Sequence, residues 1–378
     1  MSPASPRLPW IDHLRTAMIV LVVNMHACVT YSHVGDWYTM HAIEPTLAQK
    51  VPFILWQGTL QSFFMGLMFF LAAFFAAGSL ARRGPGGFVR ERLFRLGLPA
   101  LLYMLVIHPF ILLGLNPWQH DFGPPATWYA HFVISGNFLG ESGPLWFAVA
   151  LLLFSVVLAG WTRLRPSTPA TADAISPSGG KLLGFALLLG VGSFAVRLVQ
   201  PIGTNVLNLQ LCFFTQYIGW FLAGLHAARH GWLQALAAAR TARIAGWLGL
   251  IGGPLALLAL FAAGARHAPV EIFFGGPHWQ AFGLAVWEQL TGLGLAVGAL
   301  ALFSLRANYD SPLLRWLSDR SFGVYVLHAP VIIALTILFR PLPYHLYGLV
   351  VLLTVTGLVA SYALADLARR VPGLRAIL

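Results

Sequence analysis

The chain has 378 residues, 58% of them hydrophobic and only 9% charged, with a mean hydropathy of +0.74. A soluble domain carries about 25% charged residues, so this composition excludes an ordinary water-soluble fold and puts the chain in the membrane class. The formal charge of +11 does not point to nucleic acid, because the basic residues sit in short stretches between apolar runs and form no separate basic domain with interleaved aromatics.

The first apolar segment follows Trp10 with no short apolar core and small-residue cleavage site, so it reads as a retained helix. Ten transmembrane helices are expected, at residues 14–34, 53–79, 97–115, 144–162, 182–200, 209–228, 244–264, 282–304, 322–339 and 346–367. Each is close to the ~20 residues that cross a bilayer. An all-α integral membrane protein follows. Ten crossings put both termini on one side, and 19 of the 23 lysines and arginines fall on that side. Only Lys50, Arg197, Arg266 and Arg340 fall on the other, which makes both termini cytoplasmic. No internal repeat and no attached soluble catalytic domain is visible, so residues 1–378 read as a single polytopic domain. Residues 163–181, rich in Pro, Ser, Thr and Gly, read as a flexible cytoplasmic linker within it.

Four places carry chemistry. In the first span, Arg15 and His26 are eleven residues apart. On a helix that spacing puts His26 within roughly 20° of the face of Arg15 and ~16 Å further along the axis. A stripe with a cation at the membrane edge and an imidazole at mid-depth is expensive, and such groups are usually functional. The plainer reading makes His26 a polar helix contact satisfied by Asn24 and its neighbours, and Arg15 a topology anchor. Next, Arg90-Glu91-Arg92-Leu93-Phe94-Arg95-Leu96-Gly97-Leu98-Pro99 forms an inner loop. Its Arg92 and Arg95 point the same way on a helix, and guanidinium forks suit phosphate oxygens. Orientation alone would also account for arginines there.

The outer segment 116–143 is long and aromatic, rich in Pro, Gly and His, and Glu141-Ser142-Gly143-Pro144-Leu145-Trp146-Phe147 leads from it into the fourth span. Its aromatics suit either an interfacial belt or a platform for the apolar face of a sugar ring. Glu141 reads as a contact for an acceptor hydroxyl or as a solvated loop carboxylate. Finally, Asp319-Arg320-Ser321-Phe322-Gly323-Val324-Tyr325-Val326-Leu327-His328 opens the ninth span. Arg320, Tyr325 and His328 would form a second polar strip there, with a kink at Pro330 as the alternative explanation. Glu288 and Asp366 have no evident partner. Cys28 and Cys212 read as small buried hydrophobes, and no cluster of metal-ligand spacing occurs, so no metal is expected.

Taken together and in order, these motifs resemble membrane acyltransferase family 3, which includes O-antigen acetylases and the glucan succinyltransferase of bacterial envelopes. The likeness rests on Asp12-x-x-Arg15-x10-His26, Arg92-x-x-Arg95 with Pro99, Gly143-Pro144-Leu145-Trp146-Phe147, and Ser321-Phe322-Gly323-x-Tyr325-x-Leu327-His328. The resemblance implies a multi-pass protein of the bacterial inner membrane that moves an acyl group from cytoplasmic acyl-CoA, of acetyl or succinyl type, to a hydroxyl of a carbohydrate or other envelope acceptor. It implies His26 and Arg15 as the catalytic pair. Arg92 and Arg95 would hold the donor, joined by Arg320, Tyr325 and His328, with Glu141 and Trp146 toward the acceptor. The chain departs from larger members in lacking a fused extracytoplasmic hydrolase-like domain, and in carrying Pro-Leu-Trp-Phe-Ala where others have a glutamate nearby. The rival class is a transporter or flippase of a sugar or lipid-linked glycan. Ten spans and a polar interior fit it too, although no inverted repeat or paired broken helices are visible.

Overall fold

The computed structural model describes residues 8–117, 122–165, 177–265 and 269–378. The central part of the expected linker, 166–176, and residues 118–121 and 266–268 lie outside the described residues, as does Arg7. Among the described residues there is no strand, only an isolated bridge between Val206 and Leu209.

The helices run in the order α1 (Pro9–Ser32), α2 (Leu47–Arg92), α3 (Leu98–Leu102), α4 (Pro125–Ile134), α5 (Trp146–Leu164), α6 (Gly179–Arg197) and α7 (Phe214–His230). They continue with α8 (Trp232–Ala238), α9 (Arg240–Trp247), α10 (Gly253–Gly264), α11 (Trp279–Arg306), α12 (Pro312–Phe339) and α13 (Leu346–Ala368). Nine helical stretches among the described residues are long and apolar enough to cross a membrane. One of them, Leu47–Leu115, holds 69 residues and contains the expected second and third spans end to end. At 1.5 Å per residue it would run roughly 100 Å, against a hydrocarbon core of about 30 Å. The break comes at Gly84, whose φ of 68° and ψ of 168° lie outside helical space. Pro85 follows, where a missing N–H does least harm at a helix start.

The stretch after this break is helical where a loop was expected. Residues 93–97, 103–107 and 110–115 form π-helical turns. Prolines explain part of this irregularity. Pro109 offers no N–H to the carbonyl of Leu105, and Tyr129 of α4 donates its hydroxyl there instead, at 3.1 Å. The outer segment is also partly helical, through α4 and a 3₁₀ turn at Asn137–Gly140.

Close backbone approach sets the centre of the bundle. A side-chain carbon at Gly224 of α7 would sit on the carbonyl of Phe70 of α2, and one at Gly292 of α11 on the carbonyl of Ser62 of α2. Small residues at such crossings are how membrane helices gain packing without a hydrophobic driving force. Helix α1 packs against α12, α13, α2 and α11, which holds the Arg15–His26 stripe inside the bundle. The α9–α10 helix is the least buried of the spans.

Candidate active site

Two cavities lie along α1. The inner one, about 430 Å³, is lined by five arginines, Arg15, Arg82, Arg83, Arg92 and Arg95, against one carboxylate, Glu91. Ser79, Ser318 and Ser321 add hydroxyls. Glu91 sits between cations, 3.4 Å from Arg83 and 3.7 Å from Arg95. Its Oε2 also accepts from Ser79 at 3.1 Å. Arg92 lies over the ring of Phe88, and its Nε is buried without a partner. Asp12 also acts on Arg15, so the cavity carries an excess of positive charge, of the fork geometry that suits phosphate oxygens.

The outer cavity, about 250 Å³, is lined by His26 with Gln61, Trp146, Asn208 and Tyr217. Val22, Met65 and Tyr325 line both cavities and stand between them. Arg15 and His26 therefore face two neighbouring cavities from one helix.

His26 stacks on Trp37 with ring centroids 3.8 Å apart and on His328 at 5.2 Å. Trp37 comes from the segment after α1. That segment turns at His33, whose φ of 57° is left-handed, and is pinned where the N–H of His41 donates to the carbonyl of Thr30 at 2.8 Å. The Nδ1 of His26 is buried with no partner. Asn24 does not supply one. Its amide nitrogen donates to Thr354, and its oxygen accepts from Trp56 at 2.8 Å. His26 thus lines the cavity with a buried ring nitrogen that no protein group satisfies.

His328 is fully buried on α12. Its Nδ1 lies 2.8 Å from the carbonyl of Tyr325. A carbonyl only accepts, so in the neutral ring Nδ1 carries the proton and Nε2 keeps its lone pair, which has no partner. The Tyr325 hydroxyl donates to the carbonyl of Pro144 at 2.5 Å. Pro144 is held by the turn at Gly143, where φ is 48° and a side-chain carbon would lie 2.6 Å from the Tyr103 hydroxyl and 2.7 Å from that of Tyr38. Asn208, itself left-handed at φ 63°, donates to both Ser142 Oγ and the carbonyl of Gly143 at 2.9 Å.

The structure thus brings together Arg15, Arg92 and Arg95 at one end and His26, His328 and Trp146 at the other, with Tyr325 between. His328 stands against His26, not with the arginines it was expected to join. Arg320 lies outside both linings. It pairs with Asp366 of α13 at 2.6 Å and stacks over Trp316. Ser318, Ser321 and Tyr325 occupy the cavity-facing side of α12, and one helical residue rotates Arg320 by about 100° away from Ser321. Glu141 also lies outside the outer lining, 3.5 Å from His108, and burial pushes its carboxyl up from the ordinary range. Trp146 stacks on Tyr217 at 5.4 Å and makes an aromatic wall. Arg82, Arg83, Trp37, Gln61 and Asn208 were not singled out from the sequence. Arg82 and Arg83 stand directly before Gly84-Pro85, and a cation pair at a helix break was their available signal. No group of three or more His, Cys, Asp or Glu side chains suited to a metal occurs among the described residues.

A sequence profile of the acyltransferase domain matches residues 8–368, nearly the whole chain. The chain belongs to acyltransferase family 3. No curated protein and no solved structure gives a match. The protein is a membrane acyltransferase.

Proposed function

We propose that the protein transfers an acyl group from acyl-CoA to a hydroxyl of a carbohydrate or other envelope acceptor, across the inner membrane of a bacterium. The carrying observation is that Arg15 and His26, on one helix, line two cavities that share Val22, Met65 and Tyr325. The phosphates of coenzyme A bind the arginine cavity on the cytoplasmic side, Arg92 and Arg95 first. The pantetheine arm runs up past Arg15, and the ~16 Å of helix rise between Arg15 and His26 suits its length. The thioester then rests between the two cavities.

The acceptor lies in the outer cavity, its ring face on Trp146 and Tyr217. His26 takes the proton of the acceptor hydroxyl as general base. The oxygen attacks the thioester carbonyl, the tetrahedral intermediate collapses, and the coenzyme A thiolate leaves and takes up a proton. An ester and free coenzyme A result. His328, with its proton fixed on Nδ1, stacks on His26 and holds its plane. Direct transfer requires no acyl-histidine, which is the less favoured variant.

The test supplies purified protein in vesicles with acetyl-CoA or succinyl-CoA carrying a labelled acyl group on one side and an envelope polysaccharide as hydroxyl acceptor on the other. Release of free thiol on the arginine side with label appearing as an ester on the other is expected. Absence of acyl-CoA binding, together with solute uptake and no thiol release, would instead support a transporter or flippase.

A further inference from the structure

The two cavities along α1 differ in charge. Five arginines line the inner one. Among the described residues no lysine or arginine lines the outer one, and its single carboxylate is Asp36. Asp36 is exposed and makes no hydrogen bond or ion pair among the described residues.

Two turns deliver it there. After α1 the chain passes through His33 in left-handed backbone and then Gly35, whose φ is 109°. A side-chain carbon at Gly35 would press on Val29 of α1 at 3.3 Å, and only glycine adopts such a φ without strain. The segment therefore folds back against α1. Trp37 stacks on His26, and Asp36, one residue earlier, stands in the lining of the same cavity.

The rest of that lining suits hydroxyl groups. Gln61, Asn208 and Gln210 carry amides, which both donate and accept, and Trp146 and Tyr217 offer ring faces. At about 250 Å³ the cavity falls below the ~300–1,000 Å³ of pockets for drug-sized ligands, so it takes one sugar unit of a glycan at a time. An ionised carboxylate only accepts, and its two oxygens serve neighbouring hydroxyls of a sugar. A carboxylate or phosphate on that sugar would meet Asp36 with like charge, and the described lining holds no cation to offset it.

We propose, resting on the acyl-transfer reading above, that the acceptor unit entering the outer cavity is an uncharged sugar, and that Asp36 selects it by accepting from its hydroxyls and repelling anionic units.

The test adds competitors to the transfer assay, with labelled acyl-CoA and a neutral envelope polysaccharide, at low ionic strength. The competitors are methyl β-glucuronamide and methyl β-glucuronate, which differ in charge at one group. In the wild type the amide is expected to inhibit at a concentration about tenfold below that of the uronate, the factor by which like charges roughly 6 Å apart in a wet cavity disfavour binding. Added salt should narrow that ratio. Asp36→Asn should bring the two within about twofold. Asp36→Lys should reverse their order, a gain of uronate inhibition that misfolding cannot produce. Equal inhibition by the two in the wild type, inhibition by neither, or one ratio shared by all three proteins, with transfer intact, overturns the role of Asp36 and leaves the acyl-transfer reading standing. Absence of transfer from acyl-CoA to the polysaccharide overturns that reading and this proposal with it.

Discussion

Replacing Glu288 tests how the outer cavity is supported from behind. Arg197 closes α6 with no exposed surface, and Glu288 of α11 is only 4% exposed. The two are joined by a short ion pair between Arg197 Nη2 and Glu288 Oε2. The remaining Nε and Nη1 of Arg197 and Oε1 of Glu288 are buried without partners. Arg197 also lies over Phe213, 5.3 Å from its centroid, and Phe213 lines the outer cavity. Glu288→Ala strands a buried cation, so a loss of about 3–5 kcal/mol is expected. That is a large part of the 5–15 kcal/mol that holds a typical fold. Arg197→Met strands the carboxylate and should lose a similar amount. The double variant Arg197→Met/Glu288→Leu removes both charges and should return to within about 1–2 kcal/mol of wild type. Unfolding in detergent micelles, followed by tryptophan fluorescence for all four proteins, gives the cycle. Single variants near wild type and a strictly additive double would refute the claim that the pair is buried and mutually dependent.

Other substitutions address the site itself. Gly143→Ala forces a side chain into left-handed backbone against two tyrosine hydroxyls, so a loss of about 1–3 kcal/mol and a displaced Pro144 are expected, read as lower thermal stability and lower kcat. Arg92→Ala and Arg95→Ala each remove a charge-assisted contact worth about 1.5–3 kcal/mol, so KM for acyl-CoA should rise roughly ten- to hundredfold with acceptor KM unchanged. The segment carrying Trp37 should loosen in acid. Burial, with the charges of His33 and Arg340, lowers the pKa of His41 in the fold. Its stabilising contribution is therefore present above the ordinary imidazole range near about 6.5 and fades as pH falls through it. Hydrogen-exchange protection over residues 33–46, taken relative to the intrinsic rate at each pH, should fall on acidification, and His41→Asn should remove that dependence.

The membrane class and the order of the spans follow from charge deficit and apolar runs, because both are properties of neighbouring residues. The Arg15–His26 stripe was legible for the same reason: helix pitch alone converts spacing into a shared face. Partners on other helices were not. Arg197 and Glu288 are 91 residues apart, and Arg320 and Asp366 are 46 apart. Nothing in a 3.6-residue period says which helix stands opposite. Trp37 reaches His26 only through a turn at a left-handed histidine, and Glu141 leaves the outer lining beside the turn at Gly143. The basic stretch at 82–95 reads as a loop from its charge, yet one glycine suffices to turn the chain and the rest stays helical.

The most direct measurement compares His26→Ala with wild type in acyl transfer from labelled acyl-CoA at saturating donor. A positioned general base contributes about 10²–10⁴-fold, so kcat should fall by that factor while KM for acyl-CoA, set by the distant arginine cavity, stays within about twofold. An unchanged kcat in His26→Ala would contradict the account.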